Sequence, residues 1–369
     1  MKANKYSWKK SEIIKRYFKC LKEIIHCKDK NKKLDLILDK QVLEDMILFT
    51  ILKLPCTPSN PSLEDDLQFD KDFLSNETTL YQQEKIKEFI KYILDANFKI
   101  TQVKSSYNKE NIIQDCLSFL STINKDIYDE LNNSIKNNNI YLCNNKKERN
   151  YSGSTYYFDD ISFYEVCINS VANPFMTINH ELGHGYINNN VKRKFNKDSK
   201  IILYREVLSF LIELYANNYL YKENKISYDE FVSNFNDFFY TNVYDSIEII
   251  DTLYYIAQNN NFDINENNVK NFIDSKRQTN ENYNFDIDEL TELPLKHHLI
   301  YFYSSMIALG IYYNYKDNEK EGLEVAFDIM KNVNEYNEEE LLNKYNINPF
   351  ESLNKYIDEN NKLIKKMNN

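Results

Sequence analysis

The chain has 369 residues, 42% hydrophobic and 28% charged, with 30 Tyr and 22 Phe. This is the composition of a globular protein with a deep core, and it excludes disorder of the whole chain. The net charge of −10, with no extended basic stretch, argues against nucleic acid as a partner.

The first residues, "MKANKYSWKKSEIIKRYF", are charged and amphipathic and do not read as a secretory signal. No later run approaches the roughly 18 apolar residues of a membrane span. The six cysteines (Cys20, Cys27, Cys56, Cys116, Cys143 and Cys167) are scattered without a CxxC pair. That usage suits reduced thiols in a cytoplasmic protein.

"SEIIKRYFKCLKEIIHCK" places Ile13, Ile14, Tyr17, Phe18, Leu21, Ile24 and Ile25 on one helical stripe, with Ser11 as its N-cap. "LDLILDKQVLEDMILFTILKL" continues the helical pattern. Pro55, Pro58 and Pro61 then break it. Helical patterns resume at 77–98 and 109–136. From 139 to 170 the texture changes to short aromatic and β-branched runs, "NIYLCNN", "STYYFDD" and "SFYEVCIN", which read as two or three strands. After Pro174 helix returns and persists, apart from "VKRKFNKDSK", 191–200, which reads as a basic, solvated loop or, alternatively, as a patch that attracts an acidic group or the carboxyl end of a peptide. The predicted fold is mainly α: a multi-helix protein with a small β-sheet next to one special helix. An N-terminal helical region, 1–138, precedes a second region, 139–369. The latter holds the sheet at 139–170, helices at 174–190 and 199–221, and C-terminal helices over 227–369.

The special helix carries "NHELGHGY", 179–186. The chain has five histidines, and two of them, His180 and His184, stand four apart with Glu181 between. By composition alone such a pattern is expected about 0.01 times in a chain of this length. Positions i and i+4 share a helix face, so both imidazoles can point at one ion. Glu181 lies about 100° round the helix and can reach a metal-bound water instead. Two of the five glycines, Gly183 and Gly185, fall in this helix. Each costs about 1 kcal/mol relative to Ala, and close approach of a strand or substrate would explain them.

A catalytic zinc keeps three protein ligands and one open position. "YREVLSFLIELYANNYL" offers Glu206 and Glu213, seven residues apart and so on one helix face. Both interrupt an apolar surface, where a carboxylate is costly unless it is paired or binds a metal. One can be a ligand and the other can orient a ligand imidazole. An ordinary amphipathic helix with two edge glutamates is the plainer alternative.

With these elements the chain resembles the M3 family of zinc metallopeptidases, the thimet oligopeptidase and oligoendopeptidase F group. The family's HExGH stands here as "HELGH", 180–184, and its ExxS helix with a second Glu as "EVLSFLIE", 206–213. The resemblance implies His180, His184 and Glu206 as zinc ligands and Glu181 as general base. Ser209 then matches the family's serine, and Glu213 supports the site from the outer shell. "YSGSTYYFDDISFYEVCINS" is similar to the family's Ser-Gly loop and the edge strand with which a substrate peptide pairs; the strand "FYEVCIN" would then hold the peptide in extended form by main-chain pairing. "KHHLIYFYSSMIALG", 296–310, looks like the family's His and Tyr-rich segment. That implies Tyr303 as an oxyanion donor together with His298 or His297; the two histidines correspond to two anchorings of the segment. Ser305, Ile307 and Gly310 stand where some members carry Tyr. The chain is also much shorter than typical members.

The expected function is a zinc-dependent endopeptidase for short or unstructured peptides, with Zn2+ as cofactor, Glu181 activating the zinc-bound water, and no nucleic-acid or membrane partner. The alternatives are a thermolysin-like peptidase, a peptide-binding protein with a structural metal site, and a processing peptidase dedicated to one partner peptide.

Overall fold

The computed structural model describes residues 7–48, 90–93, 103–143, 153–158, 161–168, 173–190, 204–258, 265–279, 295–333, 335 and 338–367. The clustered prolines, the basic run at 191–200 and all but residues 90–93 of the 77–98 pattern lie outside them. The chain divides into two compact units, Met1–Pro58 with Ser105–Lys194, and Ser59–Lys104 with Phe195–Asn369.

The first unit opens with α1 (Lys10–His26) and α2 (Lys30–Ile47), which pack together. Ser11 lies inside α1; the N-cap is Lys9, whose side chain makes no capping bond. The stripe read from sequence is also turned. Ile13, Arg16 and Cys20 are the buried residues, with Tyr17 and Ile24 packed on the core, while Phe18 and Ile25 are exposed. Buried Arg16 explains the turn, because its Nη1 reaches the Phe158 carbonyl at 2.5 Å. The 109–136 pattern forms two helices, α3 (Ile112–Ile123) and α4 (Lys125–Lys136). Between them Asn124 adopts an extended backbone, and its side chain accepts from the Asp126 and Ile127 amides. Such a cap contributes about 1 kcal/mol.

Three strands follow as expected: β1 (Ile140–Cys143), β2 (Gly153–Phe158) and β3 (Ile161–Cys167), in the order β1-β3-β2. β1 runs parallel to β3 and β2 antiparallel to it. β3 is therefore paired on both sides and is not an edge strand, contrary to the sequence reading of "FYEVCIN". Among the described residues no strand pairs with the outer side of β2.

The strand period of two gives the sheet two distinct faces. Tyr141, Tyr156, Phe158, Ile161 and Phe163 meet α1 and α2 in one core with Trp8. The other face, including Thr155 and Tyr164, lies against α5 (Pro174–Asn190), the helix that carries HELGH. Pro174 is the first residue of α5, where its fixed φ suits a helix start. On the α1–α2 face, Cys143 and Cys167 are register partners with Cα atoms 4.6 Å apart, and they form a disulfide. This corrects the reading of all six cysteines as reduced thiols. A separation of 24 residues hides a pair that only strand register creates. Cys20, Cys27 and Cys116 are thiols outside any disulfide.

The second unit is built around α6 (Val207–Lys222), whose residues from Val207 to Ile212 are all buried. A helix apolar on every side belongs inside a bundle. It packs against α7 (Tyr228–Phe239), α10 (Leu295–Tyr315) and α11 (Glu319–Asn332). α7 starts with a full capping box of Ser227 and Glu230. α8 (Asp245–Gln258) and α9 (Glu266–Thr279) precede α10; α12 (Glu338–Lys344) and α13 (Pro349–Met367) end the chain. Among the described residues no helix is long and apolar enough to cross a membrane.

Candidate active site

In the first unit, α5 presents His180 and His184 through their Nε2 atoms, 3.2 Å apart. Their rings meet at 81°. Two imidazole nitrogens at about 2.0–2.1 Å from one tetrahedral zinc would be roughly 3.3 Å apart. The pair therefore fits a shared zinc, and two imidazoles are the donor type that ion takes. His180 is buried and His184 half-buried, as a ligand pair open on one side requires.

Glu181 points to the sheet. Thr155 Oγ lies 2.6 Å from its Oε2 and 2.9 Å from its main-chain oxygen. The helix sits this close because of two glycines. A Cβ on Gly185 would lie 1.7 Å from the Tyr164 hydroxyl, and one on Gly153 would lie 2.7 Å from Glu181 Oε1. Close approach of a strand thus accounts for Gly185. Tyr164 donates to Glu130 Oε1 at 2.8 Å, and Asn189 Nδ2 donates to the other oxygen at 2.7 Å. One carboxylate of α4 is thereby tied to both β3 and α5. Burial, and then the Glu130 charge, raise the Tyr164 pKa well above the usual phenol range, so Tyr164 stays a neutral donor.

In the second unit, Glu206 is fully buried immediately before α6, and its Oε1 receives Arg205 Nε at 2.8 Å. Ser209 is fully buried one turn on, and Glu213 is half-buried. Burial and the charge of Glu213 raise the pKa of Asp237 on α7. α10 carries the aromatic segment. Tyr303 is buried, its ring edge-on to Tyr204 at 6.0 Å; Tyr301 meets Phe210 at 5.4 Å. Tyr303 thus lies toward the Glu206 end of α6 and Tyr301 one turn along. His298 is buried, and the side chain of His297 lies outside the described residues.

No protein-family model matches the sequence, and no curated protein matches it. Solved structures do match. A candidate oligoendopeptidase F from Bacillus anthracis str. Ames superposes with a TM-score of 0.54 at 16% identity, covering 89% of this chain and 62% of that one. The chain has an oligoendopeptidase-like fold. A second candidate oligoendopeptidase F gives 0.55 at 12% identity, covering 92% and 66%. PZ peptidase A with an inhibitor gives 0.56 at 12%, covering 90% and 66%. The chain therefore spans 62–66% of these structures' lengths, and at such identity the likeness is one of fold. The contact of Thr155 with Glu181 had no signal in the sequence, because 26 residues separate the pair and the stretch that includes the threonine does not say which residue of α5 it meets. Gly153 was visible as one of few glycines and as part of the Ser-Gly stretch, without its contact to Glu181.

Proposed function

We propose that the chain is a zinc-dependent endopeptidase that cleaves internal bonds of short or unstructured peptides. The observation that carries this reading is the His180–His184 pair at metal-sharing separation, with Glu181 beside it on the sheet side. The oligoendopeptidase-like fold supports it.

In this reading His180, His184 and Glu206 hold the zinc, Glu213 orients the ligand set, and the catalytic region is 139–369. When bound, the ion supplies a Lewis acid for the scissile carbonyl and lowers the pKa of a water to about 7. Glu181 accepts the proton of the attacking water and passes it to the leaving amine. Tyr303, with His298 or His297, donates to the oxygen that becomes negative; one such donor is worth about 3–4 kcal/mol of barrier. The open side of β2 accepts an extended peptide by main-chain pairing, which gives affinity without strict sequence choice. β2 takes the place that the sequence reading gave to β3, whose two sides are already paired. The enzyme acts in the cytoplasm by this reading; the Cys143–Cys167 bond is the feature that opposes that location.

Metal analysis of the purified chain together with a quenched-peptide library tests the proposal. The expected result is about one zinc per chain, lost in Glu206→Ala and kept in Glu213→Ala. Peptide cleavage should largely disappear in Glu181→Gln with zinc retained. Zinc lost on Glu213→Ala and not on Glu206→Ala would reverse the ligand assignment. A wild type that cleaves nothing in a broad library would leave the peptide-binding alternative.

A further inference from the structure

The carboxylate of Glu181 has two differently treated oxygens. Thr155 Oγ approaches both Glu181 Oε2, at 2.6 Å, and the Glu181 main-chain oxygen, at 2.9 Å. A threonine hydroxyl has a single proton, and both of these neighbours are acceptors. A hydrogen bond to an ionised carboxylate is shorter and stronger than one to a neutral carbonyl, so the proton goes to Oε2. The other oxygen faces Gly153, two residues earlier on the same side of β2. A Cβ at Gly153 would lie 2.7 Å from Oε1, 3.1 Å from Glu181 Cγ and 2.9 Å from Thr177 Cγ2. The carboxylate can occupy this place only because position 153 has no side chain.

The two residues act on one degree of freedom. A glutamate has three side-chain torsions, and the last is soft. A hydrogen bond on one oxygen, and a wall of bare main chain beside the other, fix that torsion. Glu181 lies on α5 and its two neighbours lie on β2, so its aim is set by the sheet and not by its own helix. The strand that holds the carboxylate is also one of the two outer strands of the sheet among the described residues.

We propose, resting on the reading of Glu181 as the general base, that Thr155 and Gly153 are its positioning residues. Thr155 holds Oε2 and so leaves Oε1 as the oxygen that takes the proton of the attacking water. Gly153 keeps the space in which that geometry exists. Neither residue touches the reacting atoms. Their effect is on the orientation of the base, to which rates are sensitive: a displacement of about 1 Å can cost 10²-fold.

Steady-state cleavage of a quenched peptide by Thr155→Val, Thr155→Ser, Gly153→Ala and Glu181→Gln tests this. Thr155→Val removes the donor at nearly constant volume, and kcat should fall about 10-fold or more with KM little changed. Thr155→Ser restores the hydroxyl and should recover kcat to within about 3-fold of the parent. Gly153→Ala should lower kcat like Thr155→Val. Zinc content should stay at the parent level in all of them. A readout independent of turnover is the urea midpoint of the metal-free protein. Thr155→Val should lower it more in the parent than on a Glu181→Ala background, where only the main-chain oxygen at position 181 remains as acceptor. Parental kcat in Thr155→Val, while Glu181→Gln is inactive, would overturn this inference and leave the peptidase reading standing. Equal losses in Thr155→Val and Thr155→Ser would also overturn it, since packing and not a hydrogen bond would be at work. So would loss of zinc in Thr155→Val. A wild type that cleaves no peptide overturns the peptidase reading, and this inference with it.

Discussion

Tyr303 and Tyr301 differ by two positions on α10 and by everything around them. Tyr303 is buried against Tyr204, two residues before Glu206; Tyr301 is half-buried against Phe210, one turn into α6. If Tyr303 donates to the developing oxyanion, Tyr303→Phe deletes a bond made mainly in the transition state. Its kcat should fall by roughly 10²-fold with KM nearly constant, and zinc content should not change. Tyr301→Phe beside it should stay near parental activity. A large loss at Tyr301 with Tyr303 silent, in the same kinetic assay, would show that the register of the segment is misassigned. Residue-scale facts divided sharply in legibility. His180, Glu181 and His184 could be read directly, because a helix turns spacing into direction. Thr155 could not, since its relation to Glu181 exists only when β2 lies on α5.

At the scale of elements, the join between α5 and the sheet is the structural feature on which the candidate site depends. Gly185 lets the Tyr164 hydroxyl reach the helix, and Tyr164, Glu130 and Asn189 then link β3, α4 and α5. Gly185→Ala would set a methyl carbon 1.7 Å from that hydroxyl, with the ring carbons Cζ and Cε1 at 2.5 and 2.7 Å. A buried tyrosine has little room to withdraw, so the helix must shift. Denaturant unfolding should show a loss of about 1–3 kcal/mol despite the better helix propensity of Ala. Stability equal to or above the parent would mean that Tyr164 swings clear at no cost. The glycine itself was legible as an anomaly in a helix; its partner was not. The same limit applies to the sheet. All three strands were visible as aromatic and β-branched runs, but their order was not. Strand order follows from which neighbours pair, and among the described residues it is this order that puts β3 in the middle and β1 and β2 at the edges.

At the scale of the whole molecule, a metal that binds only the folded chain adds its binding energy to stability. Removing it with a chelator should lower the thermal midpoint by several degrees, and restoring zinc should recover it. The His180→Ala variant should show no chelator effect. A midpoint that ignores the chelator in the parent protein would remove zinc from the proposal. The amino-acid order by itself determined the helical class, the strand-rich stretch before α5, the start of α5 at Pro174 and the His180–His184 spacing. These are local properties: hydrophobic period, β-branching, a proline at a helix start, and two histidines one turn apart. Tertiary structure alone decided which side of α1 is buried, since Arg16 must reach the Phe158 carbonyl. It also decided that Cys143 and Cys167 meet, and that Glu181 is held by a strand residue 26 positions away. Each of these is a contact between segments far apart in the chain, and no local period records where a distant segment will lie.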